Sequence, residues 1–252
     1  MNANNRKVMI ITGGGRGIGA ATARLAAKDG YVVCINYLHN RVAADAVVDE
    51  ICGEGGEAIA VQGDVALEKD VLTLFETVDR RFGRIDALVN NAGIVQRQSR
   101  VEDMDVERLN RMFATNITGS FLCAREAVRR MSTKNGGSGG AIVNVSSIAS
   151  RLGAPSEYVD YAASKGAIDS MTIGLAKEVA AEGIRVNAVR PGVIDTEIHA
   201  SGGEPGRVER VRHAVPMQRG GEAIEVARAI LWLLSDQASY ATGALLDVTG
   251  GR

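Results

Sequence analysis

Tyr161 and Lys165 stand four residues apart, so on a helix they project from one face, a turn from each other. A phenol titrates near about 10 and is a poor acid at neutral pH. An ammonium group held beside it favours the phenolate and brings that value down. A tyrosine tuned in this way passes a proton to a carbonyl oxygen, or takes one from an alcohol, near neutral pH. An isolated Tyr-x-x-x-Lys is more often a plain surface pair. Its meaning depends on what the rest of the chain places around it.

The elements that would position this pair follow from the hydrophobic patterning. Val8-Met9-Ile10-Ile11 is a continuous apolar run, the pattern of a parallel strand buried on both faces. It ends in Thr12-Gly13-Gly14-Gly15-Arg16-Gly17-Ile18-Gly19, followed by an Ala-rich helix to about Lys28. Glycines at 13, 17 and 19 permit a tight turn, then close approach of the backbone to a diphosphate, then close helix–strand packing. The helix start adds free N–H groups and the positive end of the dipole.

Further strands are expected at Val32 to Asn36 or Tyr37, Ala58 to Gln62, Ile85 to Val89, Ala141 to Val145, Arg185 to Val189 and Leu245 to Val248. Helical stretches alternate with them. Ala43, Val47 and Ile51 share one face, and Val71, Leu74, Phe75, Val78 and Phe82 form an amphipathic stripe. A long helical segment from about Asp103 to Met131 carries Asn116 in its middle, and the Tyr161 helix runs from Tyr158 to about Glu182. A last helix is expected from Glu222 to Ser235, and residues 195–212 read as a polar, Gly-rich loop or lid. Strict alternation predicts an α/β fold: a Rossmann-like, doubly wound parallel sheet of about seven strands with helices on both faces. Ligands of such sheets sit at the carboxyl ends of the strands, where Thr12, Tyr37, Asp64, Asn90, Ser147 and Pro191 all fall.

The 252 residues suit one undivided dinucleotide-binding domain, with a substrate loop over about 193–215. A chain this long buries about 75% of its unfolded surface and needs no disulfide or metal staple. Its net charge of −1 gives no footing for nucleic acid or a membrane surface. Cys34, Cys52 and Cys123 lack the spacing of a metal site, and no His/Asp/Glu cluster suggests a catalytic metal. His199 and His213 read as solvated residues of the lid. The polar Met1–Lys7 stretch is too short for a signal peptide, so the chain reads as cytoplasmic.

With these segments in view, the chain resembles the short-chain dehydrogenase/reductase family over essentially its whole length, from Val8 to Gly251. The resemblance rests on Thr12-Gly13-x-x-x-Gly17-x-Gly19, Asn90-Asn91-Ala92-Gly93, Asn116, Ser147, Tyr161-x-x-x-Lys165 and Pro191-Gly192. It implies a nicotinamide cofactor and reversible hydride transfer between a carbonyl and an alcohol. Tyr161 would be the general acid/base, and Lys165 would lower its pKa and bind the nicotinamide ribose. Ser147 would donate to the substrate oxygen, and Asn116 would break its helix and hold a water in a relay to Lys165. The Ser147-to-Tyr161 interval is one residue longer than the family's commonest spacing, and an extra residue in the 149–157 loop would absorb it. Ser147 gives a smaller departure than Ser146. Tyr158 has Ala162 four residues on, not a lysine, and is expected to line or flank the substrate pocket.

The implied cofactor contacts are Thr12, Gly13, Arg16, Gly17, Ile18 and Gly19 in the turn; Asn36 and Tyr37 at the second strand; and Asp64 and Val65 at the adenine. Asn90, Ala92 and Gly93 follow along the middle, with Tyr161, Lys165, Pro191, Gly192, Ile194 and Thr196 around the nicotinamide. Asp64 also reads as a helix N-terminal cap. NAD-selective relatives place Asp where this chain has Asn36-Tyr37. With Arg16 and Arg41 nearby, NADP is expected over NAD, although Leu38 stands where NADP-preferring relatives often carry arginine. The partner is a small carbonyl or alcohol, and relatives are mostly homotetramers. A non-catalytic NAD(P)-binding regulator is the alternative, and a methyltransferase with a similar turn has no use for the Tyr161–Lys165 pair.

Overall fold

The computed structural model describes residues 6–252. In chain order β1 (Val8–Ile11) leads to α1 (Gly17–Lys28), β2 (Val32–Tyr37) to α2 (Arg41–Gly53) and β3 (Glu57–Gln62) to α3 (Glu68–Phe82). β4 (Ala87–Asn90) is followed by an irregular segment, then α4 (Val106–Phe113), a widened π turn at Ala114–Thr118 and α5 (Gly119–Met131). β5 (Gly140–Val145), the one-turn α6 (Ala149–Leu152), α7 (Val159–Val179) and β6 (Ile184–Pro191) come next. The lid region holds β7 (Ile194–Asp195), α8 (Ile198–Ser201) and α9 (Arg207–Val211), and β8 (Gly221–Glu222), α10 (Ala223–Leu234) and β9 (Leu245–Val248) complete the chain.

Seven strands form one sheet in the order β3-β2-β1-β4-β5-β6-β9, and every neighbouring pair is parallel. β1 therefore has β2 on one side and β4 on the other. The connections reverse direction there, which opens a crevice at the carboxyl ends of these strands. β1 and β2 are buried at every position because helices cover both faces. Met9, Ile11, Val33 and Ile35 pack with Ala20, Ala23, Ala26, Val47 and Ile51 from α1 and α2 and with Val226 and Ile230 from α10. Alternate residues Val8, Ile10, Val32 and Cys34 point the other way, onto Val71, Leu74, Phe75 and Val78 of α3 and Cys123, Ala127 and Met131 of α5. Burial pushes the Cys34 and Cys123 thiols up to about 12, so both are inert core residues.

The long helical segment expected over 103–131 runs from Val106 to Met131 and widens at Asn116, where the resemblance implied a local break. Asp105 caps α4 by accepting from Arg108 N at 2.7 Å, and the π turn centres on buried Asn116. The lid, expected to be unstructured, contains α8 and α9 and a two-residue parallel ladder, Ile194–Asp195 against Gly221–Glu222. Sequence periodicity misses such pieces because none spans enough turns or alternations to show a pattern.

Candidate active site

The Gly-rich turn is held by side chains from three strands. Thr12 Oγ1 accepts from the N–H groups of Asn91 and Ala92, both at 3.0 Å. The Asn91 amide donates to Thr12 O at 2.9 Å and Gly13 O at 3.0 Å. Asn36 donates to Gly63 O at 2.8 Å, with its Oδ1 3.4 Å from Gly13 N. Asn36 is thus a brace between β3 and the turn. Asn91 is a functional residue missed by sequence reasoning, although its place in a doubled asparagine was the available signal. Gly13 and Gly17 have φ of +62° and +51°, and a Cβ on Gly19 would lie 2.5 Å from Gly13 O. α1 has neither a side-chain cap nor an acid in its first turn, whereas Asn40 and Asp105 cap α2 and α4. The free N–H groups at the start of α1 could therefore hold an anion. Arg16 is exposed beside them.

Tyr37 is buried at the end of β2 and Val65 is buried beyond β3. Asp64 does not cap α3. Its Oδ1 accepts from Ala66 N at 2.9 Å, Asp70 reaches back to Asp64 N at 2.9 Å, and the residue before α3 is Leu67. Buried Asn90 donates to Ser120 O at 3.1 Å and Asn144 Oδ1 at 2.9 Å. Its own Oδ1 has no partner among the described residues.

Ser146 and Ser147 follow β5 and have different surroundings. The Ser146 hydroxyl contacts Asp169 Oδ1 at 2.7 Å and Lys165 O at 3.1 Å, so it is tied into the frame. Ser147 Oγ accepts from Ala149 N at 3.1 Å, and its hydroxyl lies close enough to the Tyr161 phenol to lower its pKa. The long Ser147-to-Tyr161 interval is taken up by α6 and by left-handed residues Gly153, Ala154 and Ser156, with φ of +73°, +45° and +60°. Burial raises the Tyr161 phenol above its ordinary value, and the Ser147 hydrogen bond and the Arg207 charge oppose that rise. Lys165, expected from its spacing to lower the phenol, donates instead to Val145 O at 2.8 Å, with its Nζ 5.6 Å from the Tyr161 ring centroid. Burial brings Lys165 itself down to about 8, and Asp169 partly offsets this.

Asn116 faces Lys165 across Gly93, where a Cβ would lie 3.4 Å from Lys165 Nζ and 3.5 Å from Asn116 Oδ1. The Asn116 amide bonds both backbone groups of Ile94, at 2.8 and 3.0 Å, and Ser164 Oγ at 3.1 Å. Pro191 ends β6 and accepts from Ile148 N at 3.0 Å, and Gly192 N donates to Val248 O at 2.9 Å. Ile194 is buried, and Thr196 closes on Gly17, whose added Cβ would lie 3.2 Å from Thr196 Cγ2. The Thr12–Gly19 turn, the Asn90–Gly93 segment and the Ser147, Tyr161 and Lys165 cluster therefore share the carboxyl edge of the sheet. The two ends of the row meet where Thr196 covers Gly17.

The lid is fastened by charge. Arg207 donates to Glu157 at 2.6 Å and Glu204 at 3.2 Å, Arg210 pairs with both acids, and the Arg207 guanidinium lies 4.9 Å from the ring centroid of buried Tyr158. Partial burial alone would raise Glu157, but hydrogen bonds from Arg207 and Arg210 hold its carboxyl below the usual range. His199 is not solvated as expected: it is half-buried, and its Nε2 lies 2.8 Å from Ile194 O. His213 is exposed. None of these distant pairings leaves a trace in local sequence.

Residues 13–252 match the family model described as Enoyl-(Acyl carrier protein) reductase. The chain is 60% identical over 245 residues to the uncharacterized oxidoreductase YgfF of Escherichia coli (strain K12), covering 97% of this chain and 99% of that protein. It is 41% identical over 252 residues to a 3-oxoacyl-[acyl-carrier-protein] reductase of Synechocystis sp., covering 100% and 98% of the two chains. Among solved structures, the 3-ketoacyl-(acyl-carrier-protein) reductase from Brucella melitensis complexed with NADH superposes with a TM-score of 0.89 at 35% identity, covering 98% of each chain. A short chain dehydrogenase from Burkholderia cenocepacia in complex with NADP gives 0.89 at 32% identity, covering 99% of each chain. The parallel sheet and these matches together make the chain a member of the short-chain dehydrogenase/reductase family, an oxidoreductase of the dehydrogenase/reductase type.

Proposed function

We propose that this enzyme interconverts a carbonyl and an alcohol with a nicotinamide dinucleotide, NADP in preference to NAD, and that Tyr161 is its general acid/base. The observation that carries the reading is the gathering of Ser147, Tyr161 and Lys165: the Ser147 hydroxyl acts on the Tyr161 phenol, and the buried Lys165 Nζ lies 5.6 Å from the Tyr161 ring centroid. The uncapped start of α1 behind a left-handed glycine turn fits a diphosphate. Thr12, Gly13, Arg16, Gly17, Ile18 and Gly19 would hold it. Asn36, Tyr37, Asp64 and Val65 would flank the adenosine, and Asn90, Ala92 and Gly93 the middle. Tyr161, Lys165, Pro191, Gly192, Ile194 and Thr196 would surround the nicotinamide, which supplies or accepts the hydride when bound.

The residues of the chain supply the proton chemistry. Ser147 donates to the substrate oxygen where negative charge grows in the transition state. Tyr161 delivers a proton to that oxygen in reduction and removes it in oxidation. Buried Lys165, beside the Tyr161 ring, would bind the nicotinamide ribose, and Asn116 sits across Gly93 to relay protons through water.

The preference for NADP rests on β2 ending in Asn36-Tyr37 without a carboxylate and on exposed Arg16, which makes no ion pair with a described residue. A 2′-phosphate is repelled by a carboxylate and attracted by a guanidinium. Arg41 is paired with Asp45 in an exposed contact that water and salt readily screen.

A panel of 3-oxoacyl thioesters, sugars and aromatic ketones followed by NADPH absorbance tests the reading. Turnover is expected with a ratio of kcat/KM for NADPH over NADH above one. A ratio below one overturns the NADP preference, and no turnover across the panel counts against the reaction class. Exposed Phe121 on α5, Ile173 on α7, and Trp232 and Tyr240 near the C-terminus support a homotetramer, which light scattering after gel filtration would measure. Free thiols at Cys34, Cys52 and Cys123 suit the reducing cytoplasm. Among the described residues no helix is long and apolar enough to cross a membrane.

A further inference from the structure

We propose that Arg108 and Asp160 are a positioning pair for Tyr161 that couples it to the 94–97 segment beneath the lid. The inference rests on the reading of Tyr161 as general acid/base. Asp160 immediately precedes Tyr161 in the first turn of α7, where backbone N–H groups have no acceptor within the helix. Its Oδ1 accepts from Tyr161 N at 2.9 Å. Its side chain is 0% exposed, and Arg108 engages both oxygens, Nε to Oδ2 at 2.7 Å and a terminal nitrogen to Oδ1 at 3.2 Å. The remaining terminal nitrogen of Arg108 donates to Arg97 O at 2.7 Å. A planar guanidinium reaches three acceptors in fixed directions at once, which a lysine does not.

Asn116 makes a parallel connection from farther along the same run. It bonds both backbone groups of Ile94, and through Ser164, whose hydroxyl donates to Tyr161 O at 2.7 Å, it reaches the other side of the Tyr161 residue. The Tyr161 N–H is thus held through Asp160 to Arg108, and its C=O through Ser164 to Asn116. The same two residues, Arg108 and Asn116, also fix Arg97 and Ile94. That segment meets the lid, since a Cβ on Gly202 would lie 2.9 Å from Val95 Cγ1 and one on Gly203 would lie 3.2 Å from Arg97 Cγ. Arg108 therefore sets the distance between the acid/base and the segment on which the lid packs.

Asp160→Asn keeps the shape and turns an NH2 group toward Arg108 donors. In the intact protein it is expected to lower kcat by about 10- to 100-fold, the cost of a small misplacement of a reacting group. The dinucleotide Kd, set in the Gly-rich turn, should stay within about twofold. Because a stranded Arg108 charge impairs folding, the Arg108→Met/Asp160→Asn double variant is measured alongside. A positioning role predicts that the double variant regains the wild-type melting temperature while kcat stays low. A kcat in either folded variant within about threefold of wild type overturns the proposal, as does a double variant that recovers kcat together with its melting temperature. Tyr161→Phe in the same assay separates the failures. If it is as active as wild type the acid/base reading fails, and if it is inactive while Asp160→Asn is not, only the positioning pair fails.

Discussion

The two sides of the cleft are braced by different chemistry. Around the Gly-rich turn the bracing is neutral: Thr12, Asn36 and Asn91 grip backbone N–H and C=O groups at 2.8–3.4 Å. Across the cleft it is ionic, with Arg108–Asp160, Arg190–Asp169 and the Glu157/Glu204/Arg207/Arg210 cluster joining separate elements. Neutral bonds to backbone hold one shape whatever the salt or pH. Ion pairs hold side chains on different elements together, at the risk of leaving an uncompensated buried charge when one partner is lost. On the proposed function, the dinucleotide seat is held by neutral bonds and the substrate side by ion pairs.

Substitutions should separate the sides. The largest effect is expected for Gly19→Ala, whose Cβ would fall 2.5 Å from Gly13 O. Overpacking there costs roughly 1–3 kcal/mol of stability, and dinucleotide affinity should drop about 100-fold by fluorescence titration, equivalent to ~2.7 kcal/mol. Near-normal binding would break the idea of a dinucleotide seat at this turn. Asn91→Ala removes the donors to Thr12 O and Gly13 O and should cost about 1–3 kcal/mol, equally at low and high salt in denaturant melts.

A smaller effect is expected on the ionic side. Glu204→Gln weakens a partly exposed cluster and should raise KM for the carbonyl about two- to fivefold with kcat intact. High salt should imitate it in the wild type. Glu157, held below the usual carboxylate range, contributes stability above the ordinary glutamate pKa and loses it only as pH falls through its folded value. KM should therefore be flat from neutral pH down to mild acid. Lys165 acts in the same sense at higher pH. Its folded pKa of about 8 lies below the unfolded value, so the unfolded chain binds the extra proton between the two and stability rises with pH across that window. Lys165→Met should lack this rise in pH-dependent melts.

This contrast also decides what could be read from the chain alone. The apolar runs at β1 and β2, the amphipathic stripe of α3 and the Gly-rich turn announce themselves locally, and their order implies the sheet. Tyr161, Lys165 and Ser147 were legible through helical spacing and resemblance. The ionic side was not. Arg108 meets Asp160 across 52 residues and Arg207 meets Glu157 across 50, and nothing local pairs one charge with another so distant. The groups acting on the Tyr161 phenol were misjudged for the same reason. Spacing placed Lys165 next to it, but the fold sends that ammonium to Val145 O and brings Ser147 and Arg207 close instead.

The most direct test is a single-turnover measurement of NADPH oxidation by Tyr161→Phe with both substrates saturating. General acid catalysis by Tyr161 predicts a rate about 10²- to 10⁴-fold below wild type, with dinucleotide affinity unchanged. A variant that oxidises NADPH at the wild-type rate would contradict the assignment of the proton to Tyr161.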